Sequence, residues 1–167
     1  MPQVECSALP DEARVWVFAA TDVLSAASER ALLEHVDAFL AEWRAHGAPL
    51  SSARELRDGR FLCVSVDQRP ASASGCSIDG LFRELRVLEP ALGTTMLANG
   101  LVYWRDTDGL VQRGTREQFA AHAVAGHVTG ATPVFDPTVT TLGDWRHAFE
   151  RDASASWHAR YLPKSAA

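Results

Sequence analysis

Cys76 is the residue of this chain whose type and setting best suit chemistry. It lies in Ala71–Phe82 (ASASGCSIDGLF), where small turn-forming residues follow a β-strand pattern and precede a helical pattern of apolar residues. The segment therefore predicts a strand–loop–helix junction with Cys76 near a helix N-terminus. Free N–H groups and the helix dipole at such a position favour thiolate over thiol, which would make Cys76 a nucleophile.

Charged side chains near Cys76 act on its thiol in opposite directions. Arg69 and Arg83 add positive charge, which lowers the pKa of a thiol, and Arg69 is also a candidate ligand-binding residue. Asp79 raises the pKa of the thiol if its carboxylate lies close, and in an enzyme it would orient the catalytic groups. The balance between these charges decides whether the helix start produces a thiolate.

Ser74, Gly75 and Ser77 complete the loop and allow two interpretations. In the first, they are ligand-binding residues beside a catalytic Cys76. In the second, they shape a tight structural turn, Cys76 packs as a small apolar side chain, and Asp79 caps the helix.

A cysteine nucleophile usually needs a general base, and His158 is the candidate among six histidines. It lies in the compact aromatic segment Ser156–Leu162 (SWHARYL), which would cover the loop if the chain end folds back. Trp157 would then contribute to ligand binding. The alternative is that Trp157 and Tyr161 anchor the C-terminal segment on the body of the protein.

Sequence patterns for nucleotide and metal binding are incomplete. The segment from Gly75 to Gly80 satisfies G-x-x-x-x-G, but Leu81 and Phe82 stand where a phosphate-binding loop needs lysine and a hydroxyl residue. His122 and His127 are five residues apart, a spacing that predicts different faces of a helix, and His127 lies past Gly126, the residue expected to end that helix. No Cys/His spacing matches a zinc motif. We therefore expect no metal and no cofactor.

Composition and charge favour a single cytoplasmic α+β domain. The chain has 167 residues, of which 47% are hydrophobic and 22% charged, and its net charge of −5 disfavours nucleic-acid binding. Three cysteines without a CxxC motif indicate a reducing compartment, and neither a secretory signal nor a membrane-spanning run is expected. We expect one domain over residues 13–162, with flexible tails at 1–12 and 163–167. The partner would be a small molecule or a protein, and no oligomeric state is indicated.

The order of the predicted elements indicates a ferredoxin-like βαββαβ core with both helices on one face of a single sheet. An added β-hairpin strand and C-terminal helices follow, the first opened by a capping box at Thr115–Gln118. The core elements are strands at Val15–Ala20, Ala53–Arg57, Arg60–Asp67 and Leu101–Arg105, a type I′ turn at Asp58-Gly59, and helices at residues 25–46 and 77–89. The residues predicted to fill the core are Leu32, Val36, Phe39, Trp43, Leu81, Phe82, Leu85 and Leu88.

Short motifs spread from Val15 to Leu162 carry a resemblance, and the most specific is Ser74–Asp79 (SGCSID). The others are His46-Gly47, Arg60-Phe61, Asp67, Val102-Tyr103, Glu117 with Phe119, Val134-Phe135, Val139–Thr141 and Ser156–His158. Together they resemble a family of small uncharacterised bacterial proteins that are often labelled ABC-transporter ATPases. That label implies ATP hydrolysis, but this sequence has no intact Walker motif, and the resemblance implies no established activity, cofactor or partner. It does place residues 74–79 and 156–158 in one signature, which supports a shared site.

Three functions are compatible with these patterns. The first is a thiol-dependent enzyme with Cys76 as nucleophile, His158 as base and Asp79 as the orienting group. The second is a non-catalytic module that binds a small ligand or a protein, with residues 74–79 as a structural loop. The third is an acidic scaffold domain. The separation of Cys76 and His158 discriminates best between them, because general base catalysis requires hydrogen-bond reach, directly or through one water. A concave pocket without that contact favours the second function, and a flat surface with Cys76 buried favours the third.

Overall fold

The structure is a computed structural model that describes residues 3–70 and 75–164, without the side chains of residues 75–77. The chain divides into two compact units, one formed by Met1–Ala98 with Pro137–Arg146 and the other by Asn99–Asp136 with His147–Ala167. Helices and antiparallel sheets occur in the chain, so the predicted α+β class is confirmed. The elements in chain order are β1 (Arg14–Ala19), α1 (Ala26–Glu42), β2 (Arg44–Ala45), β3 (Ala48–Pro49), β4 (Ser52–Arg57), β5 (Phe61–Val66), α2 (Gly75–Leu92), β6 (Val102–Arg105), β7 (Val111–Gly114), α3 (Arg116–Val124), β8 (Pro133–Phe135), α4 (Leu142–His147) and β9 (Glu150–Asp152).

The sheet of the first unit is antiparallel and has the strand order β1-β5-β4. Its central strand β5 is buried at all six positions and pairs Val64 with Trp16 on one side and with Arg54 on the other. The turn between β4 and β5 is the predicted one, with positive φ at both Asp58 (53°) and Gly59 (57°). A type I′ turn requires that pair of angles, so the local prediction from Asp-Gly is confirmed.

The apolar core of the first unit lies between this sheet and helices α1 and α2. Leu62, Val64 and Val66 share one face of β5 and belong to the same cluster as residues of both helices, so the two helices cover one face as predicted. The predicted core residues that are buried are Leu32, Val36, Trp43, Leu81 and Leu85. Phe39, Phe82 and Leu88 are half-buried at the edge of the cluster.

The C-terminal boundary predicted for the first helix is wrong. α1 ends at Glu42 rather than at His46, because residues 44–49 form the short hairpin of β2 and β3. His46 (φ 51°) and Gly47 (φ 81°) are the turn of that hairpin. The positive φ of Gly47 serves a second turn of the type I′ kind.

The prediction that Leu101–Arg105 completes the first sheet is also wrong. This segment forms β6, which lies inside the second unit's antiparallel sheet with the order β7-β6-β8-β9. Because its hairpin partner β7 and strand β8 occupy both edges of β6, no edge remains for β1. The outer edge of β1 is used instead by residues near Thr141: Val15 N–H donates to the Thr140 carbonyl at 3.0 Å. The described part of the chain therefore does not form the complete βαββαβ layer.

The second unit packs α3 and the C-terminal segment against its four-stranded sheet. Thr115 and Gln118 form the predicted capping box in both directions, with the Thr115 hydroxyl accepting from Gln118 N–H and the Gln118 side chain accepting from Thr115 N–H. One apolar cluster of this unit contains the buried residues Val102, Trp104, Phe119, Ala123, Val128, Val134 and Ala153.

Part of the predicted N-terminal tail is built into the first unit. Val4 N–H donates to the Ser52 carbonyl at 2.8 Å, and the Arg146 guanidinium donates to the carbonyls of Cys6 (2.7 Å) and Leu9 (3.0 Å). Residues 1–2 and 165–167 of the two predicted tails lie outside the described residues. Among the helices that the structure describes, none has the length and apolar character needed to cross a bilayer.

Candidate functional site

The predicted nucleophile lies at the start of a long helix. α2 begins at Gly75 and runs for 18 residues, so Cys76 is its second residue. The first N–H groups of a helix have no carbonyl partner within the helix, which is the condition expected to favour a thiolate. Ser74 and the side chains of Cys76 and Ser77 lie outside the described residues, so only the backbone of this candidate site is defined.

Asp79 is exposed and occupies the fifth position of α2. The interpretation in which Asp79 caps the helix is therefore wrong, because the helix begins four residues before it. A spacing of three residues puts positions 76 and 79 on the same face of a helix. A negative charge at position 79 opposes ionisation of a thiol at position 76.

Arg69, a predicted ligand-binding residue, is paired with Asp67. Its guanidinium donates from Nε to Oδ1 at 3.0 Å and from Nη2 to Oδ2 at 2.7 Å, and its backbone N–H donates to Oδ1 at 3.0 Å. These hydrogen bonds hold the pKa of Asp67 below its usual value. Because two of its guanidinium nitrogens already donate to the Asp67 carboxylate, the positive charge of Arg69 is partly neutralised. Arg69 is therefore less available to bind a ligand than the sequence predicts.

The other two cysteines have environments that disfavour the thiolate. Cys63 is fully buried in β5, and burial strongly raises the pKa of its thiol. Cys6 is half-buried, with Sγ 3.8 Å from the Ser65 hydroxyl oxygen. Burial also raises the pKa of the Cys6 thiol. The hydrogen bond with Ser65 lowers this pKa, and the negative charge of Glu55 raises it. Both thiols are therefore weak nucleophiles near neutral pH.

His158, the predicted general base, is a fully buried residue of the second unit. Its Nδ1 lies 2.8 Å from the Ser156 Oγ, and its ring stacks on Trp157 with centroids 3.7 Å apart. The Phe119 ring is inclined to it at 62°, with centroids 5.6 Å apart. Its Nε2 has no hydrogen-bond partner among the described residues. This is the environment of a packed core histidine.

The protonation of His158 follows from that burial. Loss of solvent lowers the pKa of the imidazole to about 4, while the nearby Asp136 carboxylate opposes the shift and Arg151 adds to it. The ring is neutral at pH 7 and is a weaker base than an exposed histidine. A group without solvent contact and with so low a pKa is poorly suited to take a proton from a bound substrate.

Trp157 anchors the C-terminal segment, as the alternative interpretation of that segment proposed. It is half-buried against the core of the second unit, together with Tyr161 and Leu162, and the Trp157 and Tyr161 ring centroids are 6.2 Å apart. Its Nε1 is buried and has no partner within the part of the chain that the structure describes.

A pair of histidines that sequence reasoning separated is brought together in the second unit. The N–H groups of His127 and Val128 both donate to the His122 carbonyl, at 2.9 and 3.2 Å, because the chain reverses at Gly126 (φ 80°). The Nδ1 atoms of His122 and His127 are consequently 3.4 Å apart. His127 lies beyond the helix, past Gly126 as predicted, but the expectation from helix spacing that the two rings lie apart is wrong. Gly126 was the available signal, since glycine after a helix commonly folds the chain back over its last turn.

Comparison with known proteins gives no functional assignment, so any assignment depends on the geometry of the candidate site. No protein-family model, no curated protein and no solved structure matches this chain. Among the described residues, no group of three or more histidine, cysteine, aspartate or glutamate side chains is arranged to hold a metal ion. The resemblance carried by Ser74–Asp79 and the other motifs stays a prediction.

Proposed function

We propose that this protein is a thiol-dependent enzyme that acts through Cys76. The observation that carries the proposal is the start of α2 at Gly75, which makes Cys76 the second residue of an 18-residue helix. The dipole of a helix of this length and its first-turn N–H groups, which have no carbonyl partner within the helix, favour a negatively charged sulfur. A thiolate so formed attacks an electrophilic substrate bound beside residues 74–77.

The contrast among the three cysteines supports this assignment. Burial raises the thiol pKa of both Cys6 and Cys63, so neither competes as a nucleophile near neutral pH. His158 is not needed as the base, because a thiol stabilised as thiolate loses its proton to water. Asp79 acts against the thiolate in this proposal, so its role changes from orienting group to a charge that tunes the thiol pKa.

The test is the rate of alkylation of each cysteine in the native protein by iodoacetamide, followed by mass spectrometry at pH 6.5 and 8.5. We expect Cys76 to react at least about tenfold faster at pH 6.5 than an ordinary thiol such as glutathione, because thiolate content sets the rate. Asp79→Asn should increase the Cys76 rate at pH 6.5, and Asp108→Asn, at an exposed carboxylate between β6 and β7, is the matched control. Equal rates for Cys76 and glutathione at pH 6.5 would refute the proposed thiolate.

The second candidate function is a non-catalytic module that binds a small ligand or a protein. The observation that favours it is the burial of His158, which leaves the predicted nucleophile without its predicted base. Ligand binding that survives Cys76→Ser unchanged would favour this module over the enzyme.

Two finer assignments belong to the same proposal. The order β1-α1-β4-β5, with β5 between β1 and β4, agrees with the first half of a ferredoxin-like fold, and we propose that relation for the first unit. We also propose that the protein acts in a reducing compartment such as the cytoplasm, because its odd number of cysteines has no CxxC motif.

A further inference from the structure

His122 and His127 form an exposed pair at the end of α3 in the second unit. His122 is in the last turn of the helix, and His127 is held beside it by the reversal at Gly126. The two Nδ1 atoms are 3.4 Å apart and the ring centroids 5.7 Å apart. Neither ring belongs to the buried core, so both are accessible to solutes.

The distance between the two nitrogens suits a shared metal ion as well as a long hydrogen bond between the rings. N–H···O hydrogen bonds in proteins are about 2.7–3.2 Å long, so a bond of 3.4 Å between the imidazoles is a weak one that a metal ion can replace. Two nitrogens that bind one zinc ion at about 2.0–2.1 Å with a tetrahedral angle lie about 3.3–3.4 Å apart. We propose that His122 and His127 bind a divalent transition-metal ion through their Nδ1 atoms.

Binding requires a modest rotation of the two rings. The Nδ1 atoms point towards each other along the line between the centroids, whereas chelation directs both lone pairs to a common point beside that line. With metal–nitrogen bonds of about 2.0–2.1 Å, the rotation brings the centroids to about 5.2 Å. Both side chains are exposed, so the rings have room to rotate. The His122 ring still packs against Trp104, with ring centroids 5.4 Å apart.

The surroundings leave the remaining coordination positions open. The pair borders a depression of about 300 Å³ whose other lining residues are Gln118, Ala121 and Ala125. The alanines are too small to reach a metal, and the Gln118 side-chain oxygen already accepts from Thr115 N–H at 2.8 Å. Water or a small external ligand would complete the coordination. For such an imidazole site the expected order of affinity is Cu²⁺ above Ni²⁺ and Zn²⁺.

The test is calorimetric titration of the full chain with copper, nickel and zinc chlorides, one metal at a time. We expect one metal per chain at this site, with copper bound most tightly. His127→Gln should weaken copper binding at least about tenfold, because the second imidazole adds its bond intramolecularly. His147→Gln, which removes another exposed histidine, is the matched control and should bind copper as the native chain does.

Two further measurements keep the proposal open to refutation. Copper quenches nearby tryptophan, and Trp104 lies beside His122, so titration should reduce tryptophan emission at lower copper concentrations in the native chain than in His127→Gln, whose fold is checked by circular dichroism. Cys76→Ser should bind copper unchanged, which separates this site from the proposed thiol chemistry. Equal copper affinity in native and His127→Gln proteins, or loss of binding in Cys76→Ser, would overturn the assignment.

Discussion

Burial decides what the chemistry-bearing side chains of this protein do. His158 and Cys63 both have side chains that act in catalysis in many proteins, yet both are fully buried. Burial penalises the charged form, so the pKa of His158 falls to about 4 and that of the Cys63 thiol rises. By contrast, Cys76 lies at a helix start and His122 and His127 are exposed, and these residues carry the two functional proposals.

His158 should make the stability of the protein depend on pH. Its pKa is about 4 in the folded chain against an ordinary value of 6.5, so only the unfolded chain takes up the proton as pH falls through 6.5. The stabilisation is therefore complete above pH 6.5 and is lost progressively towards pH 4, by roughly 1–3 kcal/mol.

Urea unfolding at pH 7.0, 5.5 and 4.5 measures that dependence. Since carboxylates also titrate near pH 4, the informative quantity is the difference between the native chain and His158→Phe, which lacks the titrating group. His147→Gln should keep the native slope, because His147 is exposed. Native and His158→Phe curves that run parallel from pH 7.0 to 4.5 would contradict the prediction.

Two tight turns determine where the elements of the first unit begin and end. Asp58-Gly59 joins β4 to β5, and His46-Gly47 ends any continuation of α1 by forming the β2–β3 hairpin. In both turns two consecutive residues have positive φ, which is unfavourable for residues with a Cβ. The turns are therefore positions at which sequence controls structure through backbone sterics alone.

Replacing the glycine of either turn by alanine should destabilise the first unit. At Gly47 an added Cβ has no neighbour within 4 Å, so Gly47→Ala measures backbone strain alone, about 1–2 kcal/mol. At Gly59 the same Cβ would lie 2.6 Å from the Glu29 Oε1, so Gly59→Ala should cost more because Glu29 must move. The free energy of unfolding in urea tests the order, and Glu29→Ala should reduce the extra cost of Gly59→Ala. If the Gly59→Ala protein were as stable as the Gly47→Ala protein, the predicted clash with Glu29 would be wrong.

At the scale of the whole molecule, the chain builds a separate apolar core in each of its two compact units. In the first unit the core lies between β5 and helices α1 and α2, and in the second it surrounds Trp104 and Phe119. Each core is covered by a helix with a defined N-terminal cap, Ser25 for α1 and Thr115 for α3.

Truncations in the first core should follow burial rather than side-chain size. Leu32 is fully buried, so Leu32→Ala should cost about 2–5 kcal/mol. Phe39 is half-buried, so Phe39→Ala should cost less than the roughly 3–5 kcal/mol typical of a buried phenylalanine. Val87→Ala, at a position 76% exposed, is the control and should change stability by less than about 0.5 kcal/mol. Denaturant unfolding of the three variants tests the order, which fails if Phe39→Ala costs more than Leu32→Ala.

The sequence by itself determined the features that depend on neighbouring residues. The Asp58-Gly59 turn, the capping box at Thr115, the apolar stripes of α1 and α2 and the helix start near Cys76 all follow from steric and hydrogen-bonding preferences that act within one or two turns of chain. For these features the observed structure agrees with the prediction, because no distant residue is needed to satisfy them.

Only the tertiary structure decided the features that depend on distant partners. The residues of β6 have a strand pattern whichever strand they pair with. β6 belongs to the sheet of the second unit because β7 and β8 pair with its two edges. The pKa of His158 was settled by its burial, to which the Trp157 and Phe119 rings contribute, and the approach of His127 to His122 by the reversal at Gly126. Strand pairing and desolvation are sums over residues far apart in the chain, so local patterns do not contain them.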